Sequence, residues 1–406
     1  MSTAASPAAA PASVAGMSAR AVSDPASLSE AAGALRSFAE EKWAVTFVGG
    51  GTEMELGPPP SRLDAVLRTR RLSRLVEYAP SDQIVAVEAG ITLAELQREL
   101  AGNRQRLALD PPLADRVTMG GMVAANSFGP LRARFGGARD LVIGITVIRA
   151  DGVVARGGGK VVKNVAGFDL PRLFCGSLGT LGLIAEIVFR LHPLPESAAT
   201  LVFDGLSAGE VRALARSAGE ARLEPVAVVR LSAGHRYRLA LRFEGFAPGV
   251  RDQAERLLRV AGRPGDWLDA ASAAALWSRH DELRTAGDFR LKLSFTPASL
   301  ESVESAFPPL AAALEKPALV LYPTLGCAFV SGGLADVPGA AAAIESLRAA
   351  VRTANGSAVI MAAPAPLRAR VDVWGPAPSA IAVMRRLKAQ LDPDSRLSPG
   401  RFVGGI

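Results

Sequence analysis

The sequence predicts an α+β protein of two or three domains, and three observations carry that prediction. Leu28, Ala31, Ala32, Leu35 and Phe38 fall on one helical face of "SLSEAAGALRSFAE", and the apolar run from Trp43 to Val48 follows as a short buried strand. The runs "LVEYA", "IVAVEAG", "DLVIGITVIRA" and "LGLIAEIVFRL" are β-rich and bounded by turn residues. From residue 199 to 330, runs such as "AVVRLSA", "RLALRFEGF", "FRLKLSF" and "LVLYPTLGCAFV" alternate with Ala-rich helical stretches. That texture predicts an antiparallel sheet held by helices on one face. With 406 residues, 49% of them hydrophobic, the chain has enough apolar surface for cores of this kind.

Local signals justify the elements in order. Residues 1–22 are rich in Ala, Ser and Pro with Arg20 as their one charged side chain, and are expected to be a flexible tail. Pro80-Ser81-Asp82 marks a turn between two strands. Thr92 and Glu95 form a capping box that opens the helix "LAELQREL". Asp151-Gly152 signals a hairpin. Asp169 is placed to N-cap "LPRLF", with Pro171 tolerated in its first turn. "VDVWG" around Trp374 reads as a core strand, and "AIAVMRRLKAQL" as a last helix.

Composition excludes several classes of function. No run of 18 purely apolar residues exists, so no membrane span is expected. Cys175 and Cys327 stand alone in apolar stretches, which excludes a disulfide framework or thiolate cluster and fits a reducing cytosol. Cys175 itself reads as a small hydrophobe rather than a nucleophile. His192, His235 and His280 show no metal-ligand spacing, and His192 reads as structural. The formal charge of +7 comes from dispersed residues, and the cluster Arg68, Arg70, Arg71 and Arg74 lacks the interleaved aromatics of a single-strand binder. No nucleic-acid partner is expected.

The chemistry-bearing pattern is glycine. "VTFVGGGTEMELG" runs from a strand into Gly49, Gly50, Gly51 and Thr52, a loop whose bare amides suit an anion. The spacing is neither that of a Rossmann fingerprint nor that of a P-loop. In "TMGGMVAANSFG", Thr118, Gly120 and Gly121 precede a small-residue run, and a helix starting there would offer exposed N–H groups as a second anion site. Gly176, Gly179 and Gly182 then recur around Thr180. One extended ligand with a central diphosphate accounts for all three loops, and FAD is the natural choice.

These stretches, with "GARDLVIG", "VVKNVAGFDLPRLFCGSLGTLGLI" and the terminal "SPGRFVGGI", resemble the FAD-binding PCMH-type flavoproteins of vanillyl-alcohol oxidase fold, most of all the FAD-binding subunits of glycolate oxidases. The resemblance is dense over residues 23–195 and in the last twenty or so. It implies a two-subdomain flavin domain at 23–196, an α+β cap domain with an antiparallel sheet at 197–380, and a segment, 381–406, that returns to the flavin domain. It also implies that Gly49, Gly50, Gly51 and Thr52 contact the pyrophosphate, that Thr118, Gly120 and Gly121 line flavin and phosphate, and that Gly182 to Ile184 border the adenosine. Asn126 and Ser127 would lie on the flavin side, and Arg401 would face the flavin or its phosphates.

Two departures from the family pattern bear on chemistry. Thr52 stands where covalent relatives carry a histidine, which implies noncovalent FAD. Ser398-Pro399-Gly400-Arg401 replaces the usual Asn-Pro-Gly-Arg. The resemblance further implies a larger flavoprotein subunit and an iron–sulfur subunit as partners, a small 2-hydroxy acid as substrate, and a location in the cytoplasm or peripheral at the inner face of the membrane through the complex. Lys163 and Asn164 are open to two readings, a cation beside an anionic ligand or a stem packed toward solvent. Arg284 and Lys292 are likewise open to a carboxylate clamp or surface ion pairs. With no evident histidine base, proton chemistry is expected from a partner rather than from this chain.

Overall fold

The structure is a computed structural model describing residues 13–159, 168–233 and 236–406. Lys163, Asn164 and His235 lie outside the described residues. Three sheets organise the chain. The first is parallel, ordered Ala21–Ser23, Ala65–Arg68, Val45–Val48. Helix Leu28–Glu40 buries Ala31, Ala32, Leu35 and Phe38, and Ser27 caps it by accepting from the Glu30 N–H. The second sheet is antiparallel, ordered Val154–Gly158, Val142–Ile148, Leu183–Arg190, Ile84–Glu88, Leu75–Ala79. Asp151-Gly152 turns its hairpin, with Gly152 at φ +77°, the left-handed region that glycine enters freely. Ile148 and Leu183 of the second sheet share a core with Leu35, Val45 and Leu67 of the first layer.

The third sheet has eight antiparallel strands, ordered Asp266–Leu268, Ser197–Asp204, Arg236–Gly245, Ala227–Ala233, Leu314–Tyr322, Cys327–Leu334, Phe289–Ser294, Ser357–Ala362. Strand alternation divides its side chains between two cores. Leu239, Leu241 and Phe243 face helices Ala208–Glu220, Ala247–Ala261 and Val337–Thr353. Val202, Val229, Ala240, Val320 and Tyr322 face the other way, toward Leu276, Leu283 and Phe128. Helix Ala270–Thr285 therefore covers the opposite face from the other helices, a correction to the one-sided cap read from sequence. Phe128, from the glycine-rich half, closes the same layer and joins the eight-stranded sheet to that half.

Two further readings are corrected. The expected tail gives way at residue 13, where Ser13–Val14 pairs with Met17–Ser18 and Val14 packs against Val48, Leu63 and Val66. Val371 and Val373 are core residues, yet "VDVWG" forms no strand. The Asp372 carboxylate there accepts the N–H groups of Trp374 and Gly375 and holds a bend.

The last residues return to the first sheet. After helix Ile381–Leu391, Leu397 bridges Val45, whose N–H donates to Arg396 and whose carbonyl accepts from Ser398. Buried Lys388 ties this turn down, donating to Asp392 Oδ2 at 2.6 Å and to the carbonyls of Thr180 and Leu397. No described helix is long and apolar enough to cross a membrane.

Candidate flavin site

A cleft opens where strand Val45–Val48 ends. Its walls come from Gly49 to Met54, from Gly120, Gly121, Ala124 and Ala125, and from Leu178, Gly179 and Gly182 to Ile184, with Arg401 completing the rim. It encloses about 740 Å³ of space free of atoms, its solvent-open part included.

The three glycines at 49–51 do different jobs. A Cβ on Gly49 would lie 2.2 Å from Thr118 Oγ1, and one on Gly50 would lie 1.6 Å from the Arg116 carbonyl oxygen. The close approach at these two positions is made by the chain's own residues 116–118. Gly51 sits at φ +72° with nothing within 4 Å of a Cβ, so its backbone faces the cleft. Among the described residues, the N–H groups of Gly49, Gly50, Gly51 and Thr52 donate to no protein acceptor. Four unspent donors beside a cleft are what an anion requires.

The second loop is different. Thr118 caps helix Met119–Ala125 by accepting from the Gly121 N–H, and the Met119 and Gly120 amides donate to the carbonyls of Ile91 and Ala89. The sequence reading of exposed N–H groups at this helix start is corrected: its first three donors are consumed internally. Gly120 is required because a Cβ would meet the Ala89 Cβ at 2.6 Å. Helix and loop lie against the cleft as a wall.

Asn126 and Ser127 are off the cleft lining. Asn126 ends the helix in the left-handed conformation and accepts from the Cys175 thiol at 3.4 Å. Ser127 donates to Glu53 Oε1 at 2.8 Å, linking the second loop to the first. Half-buried Cys175 has its pKa pushed up to about 11 by burial and stays a thiol.

Arg401 is the one cation lining the cleft among the described residues. Its Nη2 donates to the carbonyls of Met54 and Leu56, at 2.8 and 2.6 Å, while Nη1 is buried without a partner. Burial, then the charge of Arg368, brings its pKa down to about 10. Thr46, also on the lining, has a buried hydroxyl oxygen without a partner. Both residues, with the four free amides, fit a ligand that carries phosphate oxygens and further polar groups.

Thr52 and Glu53 also line a second, smaller cavity beneath the cap, with Arg284, Arg290, Phe329 and Met361. Arg284 donates to the Phe128 carbonyl at 2.6 Å and to the Tyr322 hydroxyl at 3.2 Å, and its guanidinium lies 3.9 Å over the Phe329 ring. Lys292 lies 4.8 Å over Phe128, and burial lowers its pKa. Neither cation forms an ion pair among the described residues, so the surface-pair alternative falls away. Behind them, His280 Nε2 meets the Tyr322 hydroxyl at 2.7 Å and Nδ1 meets Asp281 at 2.9 Å. Burial lowers the pKa of His280.

The arginine cluster of the sequence is largely neutralised: Arg68 pairs with Asp24, Arg70 with Glu95 and Arg74 with Glu88. Glu53, Arg290 and Arg368 are what sequence reasoning missed. Glu53 had one cue, a charge placed directly after the glycine loop. The arginines had none, because their partners lie more than 200 residues away.

Much of the cleft falls within a stretch that resembles known FAD-binding domains. Residues 19–158 match the family described as FAD binding domain. That stretch is similar to the FAD-binding domains of FAD-linked oxidoreductases. FAD is the chain's cofactor. Glycolate oxidase subunit GlcE of Escherichia coli is 35% identical over 162 residues, 40% of this chain and 46% of that one. Glycolate oxidase subunit GlcD of Bacillus subtilis is 33% identical over 182 residues, 45% of this chain and 39% of that one. The matches thus span less than half of either relative. An alkyldihydroxyacetonephosphate synthase structure superposes with a TM-score of 0.71 over 94% of this chain and 77% of that one, at 16% identity. The fold is accordingly that of the PCMH-type flavoproteins.

Proposed function

We propose that the chain is the FAD-binding subunit of a glycolate oxidase, a 2-hydroxy acid dehydrogenase complex that also holds a larger flavoprotein subunit and an iron–sulfur subunit. The observation that carries this reading is the shared wall of two cavities: Thr52 and Glu53 line both the donor-rich cleft and a small compartment lined by Arg284 and Arg290. Gly49 to Thr52 and Arg401 hold the diphosphate. Thr118, Gly120 and Gly121 shape the wall behind it, Gly182 to Ile184 border the adenosine, and Asn126 and Ser127 fix the loop on the flavin side. Bound FAD supplies the redox chemistry, accepting a hydride equivalent. The protein contributes binding, exclusion of water beneath the cap, and cations for a small carboxylate. Electrons then leave toward the iron–sulfur subunit, with the complex in the cytoplasm or peripheral to the membrane.

A second reading, a self-sufficient dehydrogenase of a hydroxy acid, is favoured by the cations of the junction compartment. Affinity purification of the tagged chain from its native cells tests both. Recovery of a second flavoprotein and an iron–sulfur protein, with glycolate-dependent flavin bleaching, supports the complex. A lone yellow protein with full activity supports the second reading.

A further inference from the structure

We infer that Glu53 is the group that takes the hydroxyl proton of a 2-hydroxy acid oxidised at this chain's own FAD. The inference rests on the proposed function and resolves where its acid–base chemistry resides. Three observations carry it. Glu53 is the one acid lining either the flavin cleft or the junction compartment, and no histidine lines them among the described residues. Its Oε1 is held at 2.8 Å by the Ser127 hydroxyl, and it forms no ion pair among the described residues, which leaves Oε2 open. Arg284 and Arg290 line the same compartment, and the Nε of each is buried without a partner while Arg290 also pairs with Glu55.

A buried guanidinium N–H without an acceptor is costly, and a substrate carboxylate would satisfy it. With the carboxylate fixed there, the C2 hydroxyl of the same small molecule would lie in the compartment that Glu53 also lines. In the step, the O–H bond breaks and its proton passes to Glu53 Oε2. The C2–H bond breaks with its electron pair going to the FAD, and the C2–O bond becomes a carbonyl. Substrate loses two electrons and two hydrogens and leaves as the 2-oxo acid, and Glu53 returns its proton to water. Ser127 is a positioning residue that aims the carboxylate.

The test uses the FAD-loaded chain, with Glu53→Gln and Ser127→Ala beside the parent. Oxalate binding, followed through the flavin spectrum, is the readout independent of turnover. Glu53→Gln should keep its FAD, bind oxalate several-fold more tightly because a like charge is gone, and be reduced by glycolate or D-lactate about 10²–10⁴-fold more slowly. Ser127→Ala should slow reduction by a smaller factor. A Glu53→Gln protein reduced at the parent rate overturns the inference and leaves the proposed function standing. A parent that neither binds oxalate nor is bleached by either acid overturns the inference and limits this flavin to relaying electrons. If Glu53→Gln loses FAD, Ser127→Ala decides, an unchanged rate counting against the inference.

Discussion

Arg368 of the cap donates through Nη1 to the Gly57 carbonyl at 2.8 Å, joining residues 311 apart in sequence. Its Nη2 reaches the Glu55 carbonyl at 2.6 Å, and Arg401 holds the carbonyls of Met54 and Leu56 on either side of Glu55. Arg290 pairs with the Glu55 carboxylate. Three guanidiniums thus strap down the stretch that continues the glycine loop. Because cap and loop are tied, flavin retention should depend on a residue outside the cleft. Arg368→Ala removes charge-assisted bonds of about 1.5–3 kcal/mol each. The expected result is FAD release at least ~10-fold faster, read as the growth of free-flavin fluorescence after dilution.

Gly50 and Gly51 should respond differently to a side chain. At Gly50 a Cβ collides with the Arg116 carbonyl, so Gly50→Val should lower thermal stability as well as flavin content. At Gly51 there is room, but φ is +72°, a conformation a β-branched residue resists. Gly51→Val should therefore reshape only the loop, abolishing FAD binding with a small change in the melting temperature of the apoprotein. Flavin-to-protein absorbance ratios and circular dichroism melts check the pair.

What the sequence made legible was local. The Asp169 cap, the Thr92–Glu95 box and the Asp151-Gly152 turn are each written within a few residues, and each is present. The hairpin at 13–18 was not legible, because its Ala- and Ser-rich flanks hide the burial of Val14 against residues from 48 to 66. Helix Ala270–Thr285 has apolar residues spread round its circumference, so its face could not be assigned until Phe128 supplied the other side. The glycine positions were legible, but their reasons were mixed. Gly49, Gly50 and Gly120 make room for protein, and of these four positions only Gly51 has open space where a Cβ would stand.

Asp110 makes stability depend on pH. Its carboxylate accepts the Leu131 N–H at 3.1–3.2 Å, yet burial dominates and pushes its pKa up to about 7. In the unfolded chain it ionises near its ordinary value, about 4. The unfolded state therefore holds fewer protons between these values, and stability falls as pH rises from about 4 to about 7. Asp110→Asn keeps an acceptor for Leu131 and has no charge to bury. It should melt several degrees above the parent at pH 8, with the gap closing toward pH 4.

FAD should come away from the chain when the protein unfolds. A covalent link to the flavin needs a nucleophilic side chain such as histidine, cysteine or tyrosine, and none is among the described residues of the lining. Thr52 occupies the position after the glycines. Cys175 is off the cleft, bonded to Asn126 and held as a thiol by a pKa near 11. His280 and Tyr322 are engaged with each other, and His192 lies tilted against Phe135 at 4.9 Å between ring centroids. Binding thus rests on hydrogen bonds, charge and apolar contact, all lost on unfolding. Acid precipitation of the yellow protein should release all flavin to the supernatant, and flavin retained in a washed pellet would show that a residue outside this lining reaches the ring.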